Sequence, residues 1–210
     1  LIKSKQSVLK NNKIIPKIIA VSKTFKLDHI LPLIEHGHVD YGENKVQEAT
    51  EKWSEIKSNN NKIKLHLIGK LQTNKVKISI KLFDYIHSLD NEKLARKISD
   101  EQKKQNRKPK LFIQVNIGNE SQKNGIHIKK LGEFYNYCKE QNLNVIGIMC
   151  IPPIDDDPEL SFLRMNYLKK KFNFKELSMG MSSDYLIAVN FNATFLRIGS
   201  KIFGQRKSKL

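Results

Sequence analysis

A single (β/α)8 TIM-type barrel is the fold this sequence predicts. Three observations carry the expectation: eight short runs rich in Ile and Val recur along the 210 residues, longer stretches of helical period alternate with them, and the first turn reads Ser22-Lys23-Thr24. Alternating strand and helix patterns mark parallel strands joined by crossover helices, and eight such strands close a barrel. The competing architecture, a doubly wound open sheet, normally places a glycine-rich phosphate turn after its first strand.

In chain order the strand candidates are Lys17 to Val21, Val39 to Tyr41, Lys64 to Ile68, Tyr85 to Ser88, Lys110 to Asn116, Asn144 to Met149, Glu176 to Ser178 and Phe195 to Ile198. Helices are expected between them. Asp28 can cap one running to His36, Asn44 one through Ser58 and Asp90 one through Lys103, while Ile128 to Gln141 and Leu160 to Phe172 carry the same period. No Gly/Ser or Pro-rich linker divides the chain, so residues 1–210 are expected to form one domain.

Composition narrows the function classes. No apolar run approaches the roughly 20 residues that cross a bilayer, and no charged n-region with an apolar h-region opens the chain, so a soluble, cytoplasmic protein is expected. The two cysteines, Cys138 and Cys150, support neither a disulfide framework nor a zinc site. A formal net charge of +17 would attract phosphate backbones. Its lysines, however, are scattered along the whole chain amid abundant Ile and Asn, which reads as compositional drift, so a nucleic-acid partner is not expected. Ser208-Lys209-Leu210 matches a peroxisomal address that a Lys-rich tail produces by chance. His66 and His87 read as hydrogen-bonded core residues, the six His show no metal-ligand spacing, and Asp155-Asp156-Asp157 reads as a loop leading into a helix.

Chemistry in a barrel gathers where strands end. Lys23 follows the apolar run Ile18-Ile19-Ala20-Val21, and a desolvated amine there can attack an aldehyde to form a Schiff base; the plain alternative is one more surface lysine. Ser182, Gly199 and Ser200 follow the seventh and eighth strand candidates, the recurrent phosphate position of this fold. Hydroxyls and helix-start N–H groups there suit an anion, though helix capping alone would also explain the serines. Arg197 sits at a strand end between Leu196 and Ile198. Against a pyridine nitrogen it would donate a hydrogen bond and keep that nitrogen unprotonated; a salt bridge to Glu43 or Asp90 is the alternative.

These residues fall within ordered blocks that resemble one family closely, the single-domain pyridoxal 5'-phosphate (PLP) binding proteins of the YggS type, or PLP homeostasis proteins. The blocks include Ala20 to Thr24, Tyr41 to Glu48, His66 to Lys75, His87 to Asp90, Gln114 to Asn116 with Glu120, Lys123 and Gly125, Gly147 to Pro153, Leu177 to Ser182 and Arg197 to Gly204. The resemblance implies a barrel like the N-terminal domain of alanine racemase. It places the Schiff-base lysine at Lys23, the pyridine-nitrogen arginine at Arg197, phosphate contacts at Ser182, Gly199 and Ser200, and Asn44 beside the ring. It further implies a PLP carrier or buffer that influences amino-acid and keto-acid balance, a monomer without an established reaction, with PLP-dependent apoenzymes as possible recipients. A weak racemase or lyase activity is the alternative. Ser200 stands where the family usually has Thr, Tyr41 where Phe is common, Lys70 falls at a variable position, and part of the family's first helix is expected to be missing before the first strand.

Overall fold

The computed structural model describes residues 15–205 except Ser121, Lys123 and Asp155. The tail motif and the expected incomplete first helix lie outside the described residues. The strands are β1 (Lys17–Val21), β2 (Asp40–Glu43), β3 (Lys64–Leu67), β4 (Tyr85–Leu89), β5 (Lys110–Asn116), β6 (Ile126–His127), β7 (Val145–Met149), β8 (Glu176–Ser178) and β9 (Phe195–Ile198). The helices are α1 (Leu27–Glu35), α2 (Val46–Asn59), α3 (Val76–Leu82), α4 (Glu92–Gln105), α5 (Leu131–Glu140), α6 (Pro158–Lys171), α7 (Tyr185–Asn190) and α8 (Ser200–Phe203). Eight parallel strands follow one another around the wall, β1 closes on β9, β4 meets β5, and the two-residue β6 pairs in parallel beside the end of β5. The barrel is therefore closed, as the sequence predicts.

All eight strand candidates coincide with observed strands, β2 beginning one residue later than expected and running on to Glu43. The helix starts differ more. Asp28 lies in the first turn of α1 after Lys26, and Lys45 rather than Asn44 precedes α2. Asn91 rather than Asp90 caps α4, accepting a 2.8 Å hydrogen bond from the Leu94 amide. In each case the expected cap lies within two residues of the true one, where several polar side chains compete for the same role. Asp157 caps α6 ahead of Pro158, whose fixed φ suits a first helical position.

Four helix stops use asparagine in the left-handed region. Asn106, Asn142, Asn173 and Asn192 take left-handed backbone angles (φ 47°, 54°, 54° and 62°) after α4, α5, α6 and α7. Asparagine tolerates this region better than other residues with a Cβ. These stops lie between a helix and the next strand, at the face opposite the strand ends.

Strand periodicity sorts the core into two parts. Outward residues such as Leu65, Ile86, Ile113, Ile148, Leu177 and Leu196 pack against the helices in one large cluster. Inside the barrel Ile19, Tyr85, Phe112, Met149 and Phe195 form a second. Two buried imidazoles share that interior: His66 stacks on Tyr85 (centroids 4.2 Å) and His87 on Phe112 (4.2 Å).

Candidate functional site

At the C-terminal ends of the strands a cavity of about 560 Å³ opens, and Lys23, Asn44, Ser182, Arg197, Gly199 and Ser200 all line it. Residues far apart in sequence converge here because parallel strands deliver every strand end to one face. Val21, Ile68, Ile151, Met181, Ser183, Lys201 and Gly204 complete the lining. The sequence alone assigns no role to these seven, although all but Ser183 sit inside the blocks that carry the family resemblance. A cleft of about 590 Å³ lies elsewhere, bordered by Thr73, Glu92, Arg96 and Asp100 among others, and it contains none of the candidate residues.

Lys23 leaves β1 on a turn that α2 holds in place. Thr24 has a φ of 69°, an uncommon angle for a β-branched residue. Its amide donates to Glu48 Oε1 at 2.6 Å. Lys52 Nζ donates to Glu48 Oε1 (3.1 Å), to Glu43 Oε1 (3.0 Å) and to the Ser22 carbonyl (3.0 Å). Burial works to raise the Glu48 carboxyl, but the Thr24 amide and Lys52 hold it below the ordinary value. Glu43 Oε1 also accepts from the Ser22 hydroxyl (2.8 Å) and Trp53 Nε1 (2.9 Å). Glu43 thus faces α2, on the outer side of the wall, and is no partner for Arg197.

Arg197 points inward from β9 and is 4% exposed. One guanidinium nitrogen donates to Ser178 Oγ at 2.7 Å, the other to the Cys150 carbonyl at 2.8 Å. Neither Glu43 nor Asp90 pairs with it, and no carboxylate among the described residues lies within 4.0 Å. Burial pulls its pKa below the ordinary arginine value, against the opposing influence of Cys150 and Asp184. A guanidinium has five donors in one plane, so those not spent on Ser178 and Cys150 remain for the cavity that Arg197 lines.

Opposite, Ser182 Oγ accepts from the Gly199 amide at 3.2 Å, which joins the β8 and β9 loops. Ser200 begins α8, and the first amides of a helical turn have no intrahelical acceptors. A Cβ built at Gly199 would meet Val21 at 3.5 Å, an ordinary contact, so packing within the protein does not require glycine there. At Gly69 it does: a Cβ would lie 2.2 Å from the Asn44 carbonyl and side-chain oxygens. That close approach seats Asn44 at the cavity wall.

The lining combines three cationic side chains, three serine hydroxyls and no carboxylate, with Val21, Ile68, Ile151 and Met181 as apolar walls. Such a donor set suits a flat, anionic, partly apolar ligand. Among the described residues no group of three or more His, Cys, Asp or Glu could hold a metal ion, and no helix is long and apolar enough to cross a membrane.

Comparison with known proteins agrees with this architecture. The family model "Alanine racemase, N-terminal domain" matches residues 3–207. The chain is 38% identical over 202 residues to the pyridoxal phosphate homeostasis protein of Aquifex aeolicus, covering 91% of this chain and 87% of that one. The solved structure of PipY from Synechococcus elongatus with PLP bound is 31% identical, superposes with a TM-score of 0.82, and is covered over 97% of this chain and 100% of that chain. An alanine racemase from Clostridium difficile, 14% identical with a TM-score of 0.70, shares the fold over 99% of this chain and 56% of its own. With its barrel, its strand-end cavity and these relatives, the chain belongs to the pyridoxal phosphate homeostasis protein family, built on the alanine racemase N-terminal domain.

Proposed function

We propose that this protein binds pyridoxal 5'-phosphate covalently through Lys23 and serves as a carrier or buffer of the cofactor. The observation that carries the reading is the convergence of Lys23, Arg197, Ser182, Gly199 and Ser200 on one cavity. Lys23 supplies the amine for a Schiff base with the aldehyde. The Ser182 and Ser200 hydroxyls and the backbone at Gly199 and Ser200 receive the phosphate, where a missing side chain at 199 leaves room for close approach. Arg197 donates to the pyridine nitrogen, and Asn44 flanks the ring. Bound PLP supplies an electron sink for amino-acid chemistry, but a cationic donor at the ring nitrogen disfavours its protonation and weakens that sink. The described lining residues also offer no imidazole, phenol or carboxylate as a second acid-base group facing Lys23. Both features favour holding the cofactor over turning substrates over.

Residues 1–210 act, in this reading, as one cytoplasmic, monomeric domain that passes PLP to dependent apoenzymes and so affects amino-acid and keto-acid balance. The test is direct. Loaded protein should be yellow, borohydride followed by peptide mapping should place the pyridoxyl group on Lys23, and apo recipient enzymes should regain activity faster than the free leak of PLP allows. A label on another residue refutes the site. Delivery no faster than leakage refutes the carrier role, and exchange of amino-acid α-protons would favour a slow racemase instead.

A further inference from the structure

A chain of hydrogen bonds runs through the barrel interior from the closed face to the mouth. Asp40, the first residue of β2, accepts from His66 Nε2 at 2.9 Å. His66 Nδ1 lies 3.0 Å from His87 Nε2, His87 Nδ1 lies 3.0 Å from Ser178 Oγ, and Arg197 donates to that same oxygen at 2.7 Å. Aromatic rings hold both imidazoles in place, Tyr85 against His66 and Phe112 against His87.

The direction of every proton in this chain follows from its ends. An ionised carboxylate only accepts and a guanidinium only donates. Asp40 therefore requires a proton on His66 Nε2. A neutral His66 then presents Nδ1 as an acceptor, so His87 must donate from Nε2, its own Nδ1 must accept, and the Ser178 hydroxyl must point at it. That leaves the serine lone pairs for Arg197. Neutral rings are what the surroundings favour: burial lowers the pKa of both histidines, most strongly at His87, where His66 and Arg197 add to it. At Asp40 burial works upward, but the hydrogen bond from His66 and the positive charge of nearby Lys17 keep the carboxyl below its ordinary value. No link is left ambiguous, so the chain has one polarity, donating from the mouth toward Asp40.

We propose that Asp40, on the face of the barrel opposite the cavity, is a positioning residue for the cofactor's ring-nitrogen partner: through His66, His87 and Ser178 it fixes the orientation and charge of Arg197. The inference rests on the PLP reading given above. An isolated buried guanidinium would be costly, and hydrogen bonds in a low-dielectric interior polarise one another along a chain. The Asp40 carboxylate provides the anionic terminus that Arg197 lacks at contact distance. Its side chain is 14% exposed at the far end, so it can be changed without touching the mouth.

Two measurements test it. In cofactor-free protein, nitrogen-15 correlation spectra should show His66 and His87 protonated on Nε2 alone; a proton on Nδ1 of either ring overturns the proposal. In loaded protein, Asp40→Ala and Ser178→Ala should each shift the absorbance maximum and speed PLP release by about three- to tenfold, the size of one lost hydrogen bond. The double variant should be no worse than either single one, because both cut the same chain. If folded variants keep the wild-type spectrum and release rate, or if their effects simply add, Asp40 does not act on Arg197 while the PLP reading stands. A wild-type protein that takes up no PLP overturns that reading and this inference together.

Discussion

Replacing Lys52 with Met would leave a carboxylate stranded inside the protein. Glu43 is fully buried, and Lys52 is its only cationic partner among the described residues, at 3.0 Å with a side chain 9% exposed. After Lys52→Met, Glu43 Oε1 keeps only the neutral donors Ser22 and Trp53, and its Oε2 already has no hydrogen-bond partner among the described residues. Breaking a buried pair by removing one member costs about 3 to 5 kcal/mol. For a chain of this size that lowers the melting temperature by roughly 6 to 20 °C. Trp53 is the single tryptophan and donates to the stranded group, so its fluorescence during urea unfolding reports the change directly. Adding Glu43→Gln should recover at least about 1 kcal/mol, since the amide still accepts from Ser22 and Trp53 but carries no charge. A loss under about 1 kcal/mol for Lys52→Met, typical of an exposed pair, would refute the reasoning. So would a double variant less stable than the single one.

Stability should fall with acid through His66 and His87. Their folded pKa values are lowered by burial, so the unfolded chain takes up protons first as pH drops below about 6.5, and each ring contributes up to about 1.4 kcal/mol per pH unit until its folded value is reached. Urea midpoints measured from pH 7.5 to 5.5 should decline accordingly, and a flat profile would contradict neutral buried rings. Gly69→Ala should push Asn44 away from the cavity, since the new Cβ would sit 2.2 Å from its oxygens, and equilibrium dialysis should show weaker PLP binding in a protein that still folds. Cys138 and Cys150 are buried, with thiols pushed up to about 12 by burial, so neither should react with a chromogenic disulfide reagent at pH 8 until urea is added.

Much of this architecture was legible in the chain because parallel strands buried on both sides advertise themselves as apolar runs: Lys17 to Val21, Lys110 to Asn116 and Phe195 to Ile198 match their strands residue for residue. Short helices were not. Val76–Leu82 spans only about two turns and carries three β-branched residues, and Tyr185–Asn190 and Ser200–Phe203 span fewer than two turns, so they carry little period. Among site residues, Lys23, Ser182, Arg197, Gly199 and Ser200 stood out because each follows or ends a strand. Partnerships were harder to read. In the sequence Glu43 is a candidate partner for Arg197, yet alternation along β2 sends it outward to Trp53. His66 and His87 read as core residues from the sequence, but their mutual contact depends on the register that sets His66 beside Tyr85 across β3 and β4, and sequence alone does not specify it.

At four of the reversals away from the mouth, asparagine takes the left-handed turn that Gly37 takes after α1. With only ten glycines in the chain, four such reversals at Asn106, Asn142, Asn173 and Asn192 spare glycine for crowded spots such as Gly69 and Gly147, where a single added carbon would strike a neighbour. Left-handed turns and tight backbone packing thereby draw on different residue types. Substitution at these turns therefore leaves the cavity lining untouched, since none of the four asparagines borders it.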